Sequence, residues 1–203
     1  MAENTDAIHI NNFNYISDDD FRTCLNTLAI ENAWTSATQF TFIKCHNGSI
    51  QSIAGIKKFT NITKLSLYKN KLTSAELAGL IQLQHLNLAG NNLTELQLTD
   101  LPSLEECYVF KNQLTQLSIE NTPMLSKLKA NNNKLNTLSF SNSKQLSKLY
   151  IFDNDLKKVE MSTLPVLTYL DARHNPMPDE FYDFLDSLES LTALHDGNAE
   201  DWQ

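Results

Sequence analysis

Asn70, Asn91, Asn112, Asn133, Asn154 and Asn175 follow one another at intervals of 21 residues, and each sits at the ninth position of one phrase, LxxLxLxxNxL. The phrases read ITKLSLYKNKL from Ile62, LQHLNLAGNNL from Leu83, LEECYVFKNQL from Leu104, LSKLKANNNKL from Leu125, LSKLYIFDNDL from Leu146 and LTYLDARHNPM from Leu167. Six matches without an insertion dictate an architecture, because a unit this short buries its apolar face only by stacking on copies of itself. FTFIKCHNGSI from Phe40 is a seventh, degenerate copy with Gly48 in the Asn position. LESLTALHDGN from Leu188 lies 21 residues after Leu167, lacks the Asn and reads as part of a cap.

Alternation at each Leu-x-Leu is the signal of a short strand with one buried face, so the repeats predict a parallel sheet of stacked coils. Where the chain leaves each strand, backbone donors and acceptors are stranded inside the coil, at about 1–3 kcal/mol for each unpaired group. An Asn amide carries both a donor and an acceptor, satisfies such groups and bonds to the next turn. The Asn ladder is therefore read as structural. The second halves, LTELQL from Leu93, LTQLSI from Leu114, LNTLSF from Leu135 and LKKVEM from Leu156, also alternate and predict an extended convex side. Pro102, Pro123 and Pro165 share one position just before the next strand, where a missing N–H is harmless.

The ends depart from the pattern. Residues 16–30 open with Ser17 as a cap and an acidic first turn, then place Phe21, Leu25 and Leu28 on one helical face. Residues 178–194 begin with Pro178 and carry Phe181, Phe184, Leu185 and Leu188 at helical spacing. The expected organisation is one continuous domain: an N-terminal helical cap over 1–39, seven leucine-rich repeats over 40–177 (starting near 40, 62, 83, 104, 125, 146 and 167) and a C-terminal helical cap over 178–203. The fold class is a repeat solenoid, a parallel-sheet horseshoe with a short extended convex side and helical caps.

No apolar run is long enough to span a membrane, and the first residues have neither a basic nor an apolar leader region. Two compartments stay open: cytoplasmic if Met1 is native, secreted or cell-surface if a signal peptide has been removed. Cys24, Cys45 and Cys107 are odd in number and widely spaced, which matches neither a disulfide framework nor the paired spacing of a zinc site, and they are expected to be buried thiols.

The run CHNGSIQSIAGIKKFTNITKLSLYKNKLTS (45–74), with its Gly55–Leu65 segment, resembles the first repeats of bacterial leucine-rich-repeat proteins of the internalin type. The 21-residue period with LTxLxL after the Asn is similar to their short-repeat subclass, and ISDDDF is similar to their N-terminal helix. The resemblance covers residues 16–177 and implies recognition of a host or partner molecule. Two features depart from it. Cys45 alone holds the sixth position that the subclass often fills with cysteine, and no sorting signal, adhesion tail or ligase domain follows.

Nothing in the sequence clusters catalytic groups. Cys45 and His46 are adjacent, but the register points one inward and the other outward; His85 and His174 lie in surface columns. Asp18, Asp19 and Asp20 lack the spacing of a calcium loop and suit a helix N-terminus. No catalytic residue, metal or cofactor is expected.

The concave face is more informative. The third, fifth, seventh and eighth positions of the six regular phrases are read as exposed, and six of these twenty-four residues are aromatic. They hold seven Lys or Arg against three acids, while the whole chain carries a net charge of −8. The caps account for the difference: 1–39 holds six acids and one Arg, and 178–203 eight acids and no Lys or Arg. Aromatics within a polar surround are the composition of interface anchors. The expected partner-binding set is Tyr68, Tyr108, Phe110, Lys111, Lys127, Lys129, Lys148, Tyr150, Phe152, Tyr169 and Arg173, in a monomer that recognises a protein partner of acidic character. The overall negative charge and the lack of a continuous basic stripe argue against nucleic acid. The expected function is non-catalytic recognition, with a structural or assembly spacer as the alternative.

Overall fold

The computed structural model describes residues 13–196. Helix α1 (Asp19–Glu31) precedes the strands β1 (Phe42–Lys44), β2 (Lys64–Ser66), β3 (His85–Asn87), β4 (Glu95–Thr99), β5 (Glu106–Tyr108), β6 (Gln116–Glu120), β7 (Lys127–Lys129), β8 (Thr137–Ser141), β9 (Lys148–Tyr150) and β10 (Tyr169–Asp171), followed by helix α2 (Asp179–Asp186) and strand β11 (Thr192–Leu194). The third to fifth positions of every phrase form one eight-stranded parallel sheet, in the order β1-β2-β3-β5-β7-β9-β10-β11. Its register stacks like on like: Leu65, Leu86, Cys107, Leu128, Leu149 and Leu170 are successive partners, all buried. Burying one such side chain contributes roughly 1.5–3 kcal/mol, so the column is the spine of the core.

The eighth position turns each coil. Asn47, Lys69, Gly90, Lys111, Asn132, Asp153 and His174 adopt φ between 54° and 69°. This left-handed conformation costs an ordinary L-residue roughly 1–2 kcal/mol and is easiest for Gly, Asn and Asp. The turn swings the ninth residue into the coil, where the ladder forms. Asn112 Nδ2 donates to the carbonyls of Leu88 and Val109 (3.0 Å each), and its Oδ1 accepts from the Leu93 N–H (3.1 Å). Asn91, Asn133, Asn154 and Asn175 repeat the same three bonds. Each amide thus reaches back to the preceding coil, not forward to the next. In the first coil a Cβ at Gly48 would stand 2.8 Å from Asn70 Oδ1, which accounts for glycine there.

On the convex side β4, β6 and β8 pair in parallel as a second, three-stranded sheet. The coil from Ile62 has Ala75 where the next coil has Leu96, lacks that inward anchor and forms no convex strand. LKKVEM also forms no strand, contrary to its alternation: the chain there goes into a 3-10 turn at Met161–Thr163. Its neighbour on that side is α2 rather than another extended arm, so no further strand follows to continue the ladder.

The cap of α1 is Asp18, not Ser17. Asp18 Oδ1 accepts from the Phe21 N–H (2.9 Å), and Oδ2 accepts from Gln51 and Ser52 N–H (2.8 and 3.1 Å), tying the helix start to the first coil. Phe21, Leu25 and Leu28 are buried as the helical spacing predicts. Cys24 and Cys45 correct the expectation of buried thiols: they form a disulfide, with Cα atoms 6.0 Å apart. The inward sixth position of the first coil has no coil before it, and α1 covers that opening. Cys107 is a buried thiol, its pKa pushed up to about 12 by burial.

At the other end, 178–194 is not one helix. After α2, β11 pairs with β10 (Tyr169↔Thr192), two residues later than a phrase beginning at Leu188 requires. The Tyr182 hydroxyl donates to the Asn175 carbonyl (2.8 Å) and seats α2 on the last ladder rung. The outermost parts of both cap spans, 1–12 and 197–203, lie outside the described residues.

Candidate binding face

Parallel register aligns the outward positions of neighbouring strands in columns, and the fifth-position column reads Ser66, Asn87, Tyr108, Lys129, Tyr150, Asp171. Lys129 Nζ lies 5.6 Å from the Tyr108 ring centroid and 5.0 Å from that of Tyr150, so the ammonium is held between two aromatic faces. Lys127 Nζ adds a third such contact, 5.5 Å from Tyr108. Tyr150 packs on Tyr169 at 5.0 Å between centroids. Tyr108, Lys127, Lys129, Tyr150 and Tyr169 therefore make one continuous cluster, each side chain half-buried. Cation–π contacts of this kind are worth about 0.5–1 kcal/mol at exposed sites, enough to restrain the lysines without neutralising them.

The seventh-position column supplies two further groups. Tyr68 and Phe110 approach within 6.5 Å across the small residues of the intervening coil, and their contact covers Ala89, which is fully buried rather than exposed. Arg173 lies over the Phe152 ring at 5.9 Å. Asn131 and Asp171 are likewise buried, against the expectation for their positions. Beside the Tyr68–Phe110 pair, a depression of about 290 Å³ is lined by Lys64, Ser66, His85, Asn87, Glu106 and Tyr108. Lys111 and Lys148 are exposed, with Lys111 on a left-handed corner.

Two acids of this face, counted in the sequence but left out of the expected partner-binding set, hold two of its members. The Tyr108 hydroxyl donates to Glu106 Oε2 (2.6 Å), and Arg173 grips both oxygens of Asp171 (2.9 and 2.8 Å). Each pair is two residues apart on one strand face, a spacing readable from the register alone. Burial first, then the bond to Glu106, raises the Tyr108 pKa, so its hydroxyl stays a donor. The bond to Asp171 holds the Arg173 pKa up, and that cation is already partnered. The positive character of the face therefore rests on its lysines.

His46, beside Cys45, bonds to Ser66 Oγ through Nε2 (2.6 Å) and meets Tyr68 edge-on. Cys45 is in the disulfide, so the two do not form a nucleophile–base pair. Among the described residues no group of His, Cys, Asp and Glu has a metal-holding arrangement, and no helix is long and apolar enough to cross a membrane.

The architecture defines a leucine-rich-repeat solenoid. No family model matches the chain, and no curated protein matches it. Among solved structures, the leucine-rich repeat domain of APL1B is similar at 23% identity and TM-score 0.66, over 77% of this chain and 49% of that one. Internalin C2 from Listeria monocytogenes is similar at 19% identity and TM-score 0.56, over 89% of this chain and 94% of that one. The LRIM1/APL1C complex contains a chain similar at 24% identity and TM-score 0.62, over 76% of this chain and 29% of that one. This chain thus spans about half the length of the APL1B chain and nearly all of internalin C2. These likenesses show the fold.

Proposed function

We propose that the chain is a non-catalytic protein-recognition module that binds an acidic protein segment on its concave sheet. In this reading it acts as a monomer and as one continuous domain, with 1–39 and 178–203 capping seven repeats over 40–177. Tyr108, Phe110, Tyr150 and Phe152 are the anchors; Lys111, Lys127, Lys129 and Lys148 supply the charge. The observation that carries the reading is Lys129 between Tyr108 and Tyr150, a cation whose two ring contacts restrain it in the absence of a partner. Such pre-positioning lowers the entropy lost on binding a carboxylate. Six stacked strands at about 4.8 Å spacing span on the order of 25–30 Å, enough for the roughly 800 Å² per partner of a standard interface. The presence of a similar chain in the LRIM1/APL1C complex supports a protein partner, and the repeat pattern supports a bacterial, short-repeat internalin-type module.

The test places a photo-crosslinking amino acid at position 148 on the concave face or at position 97 on the convex sheet. Crosslinks to an acidic protein from position 148 alone are the expected result. Crosslinks from position 97 alone would move the site to the convex face. None from either would leave the spacer role.

A further inference from the structure

A second surface lies on the far side from the concave sheet, where α2 meets the coil before it. The last coil closes its convex side with α2, whereas the coil before it runs past as an extended arm and a 3-10 turn. A helix is broader than an extended chain. The two therefore diverge and leave a cleft of about 560 Å³ between them, within the roughly 300–1,000 Å³ of natural ligand sites. Val159, Met161 and Leu164 form one wall; Phe181, Phe184 and Leu188 form the other.

The two faces of α2 divide its tasks. Tyr182 and Leu185 are buried, and with the Tyr182 bond to Asn175 they seal the solenoid. Phe181 is half-buried and packs against the core, whereas Phe184 keeps 44% of its surface exposed; their rings, 6.2 Å apart, line the cleft. An apolar cleft with Phe184 open in it, on a cap sealed by Tyr182, Leu185 and part of Phe181, has the composition of an interaction site.

Charge selects the occupant. Among the described residues, 178–196 contain six acids and no Lys or Arg. Within the lining Glu160 and Lys158 balance, and the surplus negative charge flanks it: Glu180 precedes Phe181 on α2, and Glu189 lies between the lining residues Leu188 and Ser190. Within the roughly 8–10 Å over which charges act in physiological salt, the walls favour cations. The chain's own end, which carries Glu200 and Asp201, has the wrong sign. We infer that this cleft binds a short protein segment with two or three large apolar side chains flanked by lysine or arginine. The concave face takes a partner of the opposite sign, so the molecule is a two-sided connector.

The experiment titrates the full chain with synthetic peptides bearing Leu and Phe at helical or alternating spacing. One set is flanked by lysines and a matched set by glutamates; binding is followed by calorimetry. Lysine-flanked peptides should bind, weaken as salt is raised, and lose at least about tenfold in affinity with Phe184→Ser. That side chain is half exposed, so the variant should melt like the wild type; should it not, Glu180→Lys reads the same site without altering an apolar contact. Failure of every lysine-flanked peptide, equal binding of the glutamate set, or indifference to both substitutions would overturn the inference. A chain ending at Asp196 that binds about tenfold more tightly would name the acidic tail as occupant. Concentration-dependent dimerisation abolished by Phe184→Ser would name a second copy. Either would also overturn it.

Discussion

Cys24 on α1 is bonded through sulfur to Cys45 at the inward corner of the first coil. The bond fastens the N-terminal cap to the repeats across a separation of 21 residues, and closing a loop of that length stabilises a fold by about 3 kcal/mol in the chain-entropy model. Reductant should therefore lower the urea midpoint of the wild type and leave that of Cys24→Ser unchanged. Alkylation of the non-reduced protein should find no reactive thiol in the native state and one after unfolding, Cys107. An unchanged wild-type midpoint in reductant, or three thiols on unfolding, would refute the pairing.

The ladder makes a graded prediction. Asn112 and Asn133 form the same three principal bonds, but Asn112 is buried and Asn133 half-buried. Alanine at either position leaves one N–H unpaired, that of Leu93 or Leu114, and cuts two carbonyls from two ladder donors to one, because the neighbouring Asn still bonds each; water reaches the Asn133 site more readily. Both substitutions should destabilise by roughly 1–3 kcal/mol, with Asn112→Ala the more costly. Equal midpoints for both variants and the wild type in urea denaturation would mean that the ladder carries no stability.

The disulfide and the ladder also show what a sequence of this kind reveals. The repeat fixes which residues point inward, because a one-residue slip would turn each leucine out to water, and Leu65 through Leu170 are buried as that register requires. The disulfide was illegible because Cys24 lies outside the repeat, and no spacing rule says which coil position a cap helix covers. Left-handed corners at Lys69, Lys111 and His174 were hidden by their side chains, although Asn47, Gly90, Asn132 and Asp153 in the same column carried the signal. The terminal cleft was hidden too, since it arises from β11 arriving two residues late after a helix that breaks the period.

His46 sets a pH dependence. Its pKa is held below the usual 6.5, first by burial and then by Lys44. The unfolded chain thus binds the proton more readily than the folded one, and stability must fall as pH drops from about 6.5 toward the lowered value. Above that window the contribution is fully present. His46→Gln keeps a polar atom for Ser66 but cannot titrate there, and should flatten part of the acid-side decline in melting temperature. A wild-type profile that coincides with that of His46→Gln at every pH would show that His46 has the same affinity for protons in both states.

On the concave face the structure separates lysines that are held from lysines that are not. Lys129 is fixed between Tyr108 and Tyr150, whereas Lys148 is exposed. Against the partner found by crosslinking, Lys148→Gln should mainly slow association and reduce its salt dependence, because an outlying charge steers encounter. Lys129→Gln should mainly speed dissociation, because it removes a charge already oriented for the bound state. Phe110→Ala and Phe152→Ala should each weaken binding by about 2 kcal/mol, the threshold of an anchor residue. Phe110→Ala also removes the ring that covers Ala89 with Tyr68, so it should lower the melting temperature slightly. Surface-plasmon kinetics on the four variants read all of these effects together. If Lys129→Gln and Lys148→Gln alter the rates alike, the aromatic sandwich confers no pre-organisation; if all four variants bind as the wild type does, the concave face is not the site.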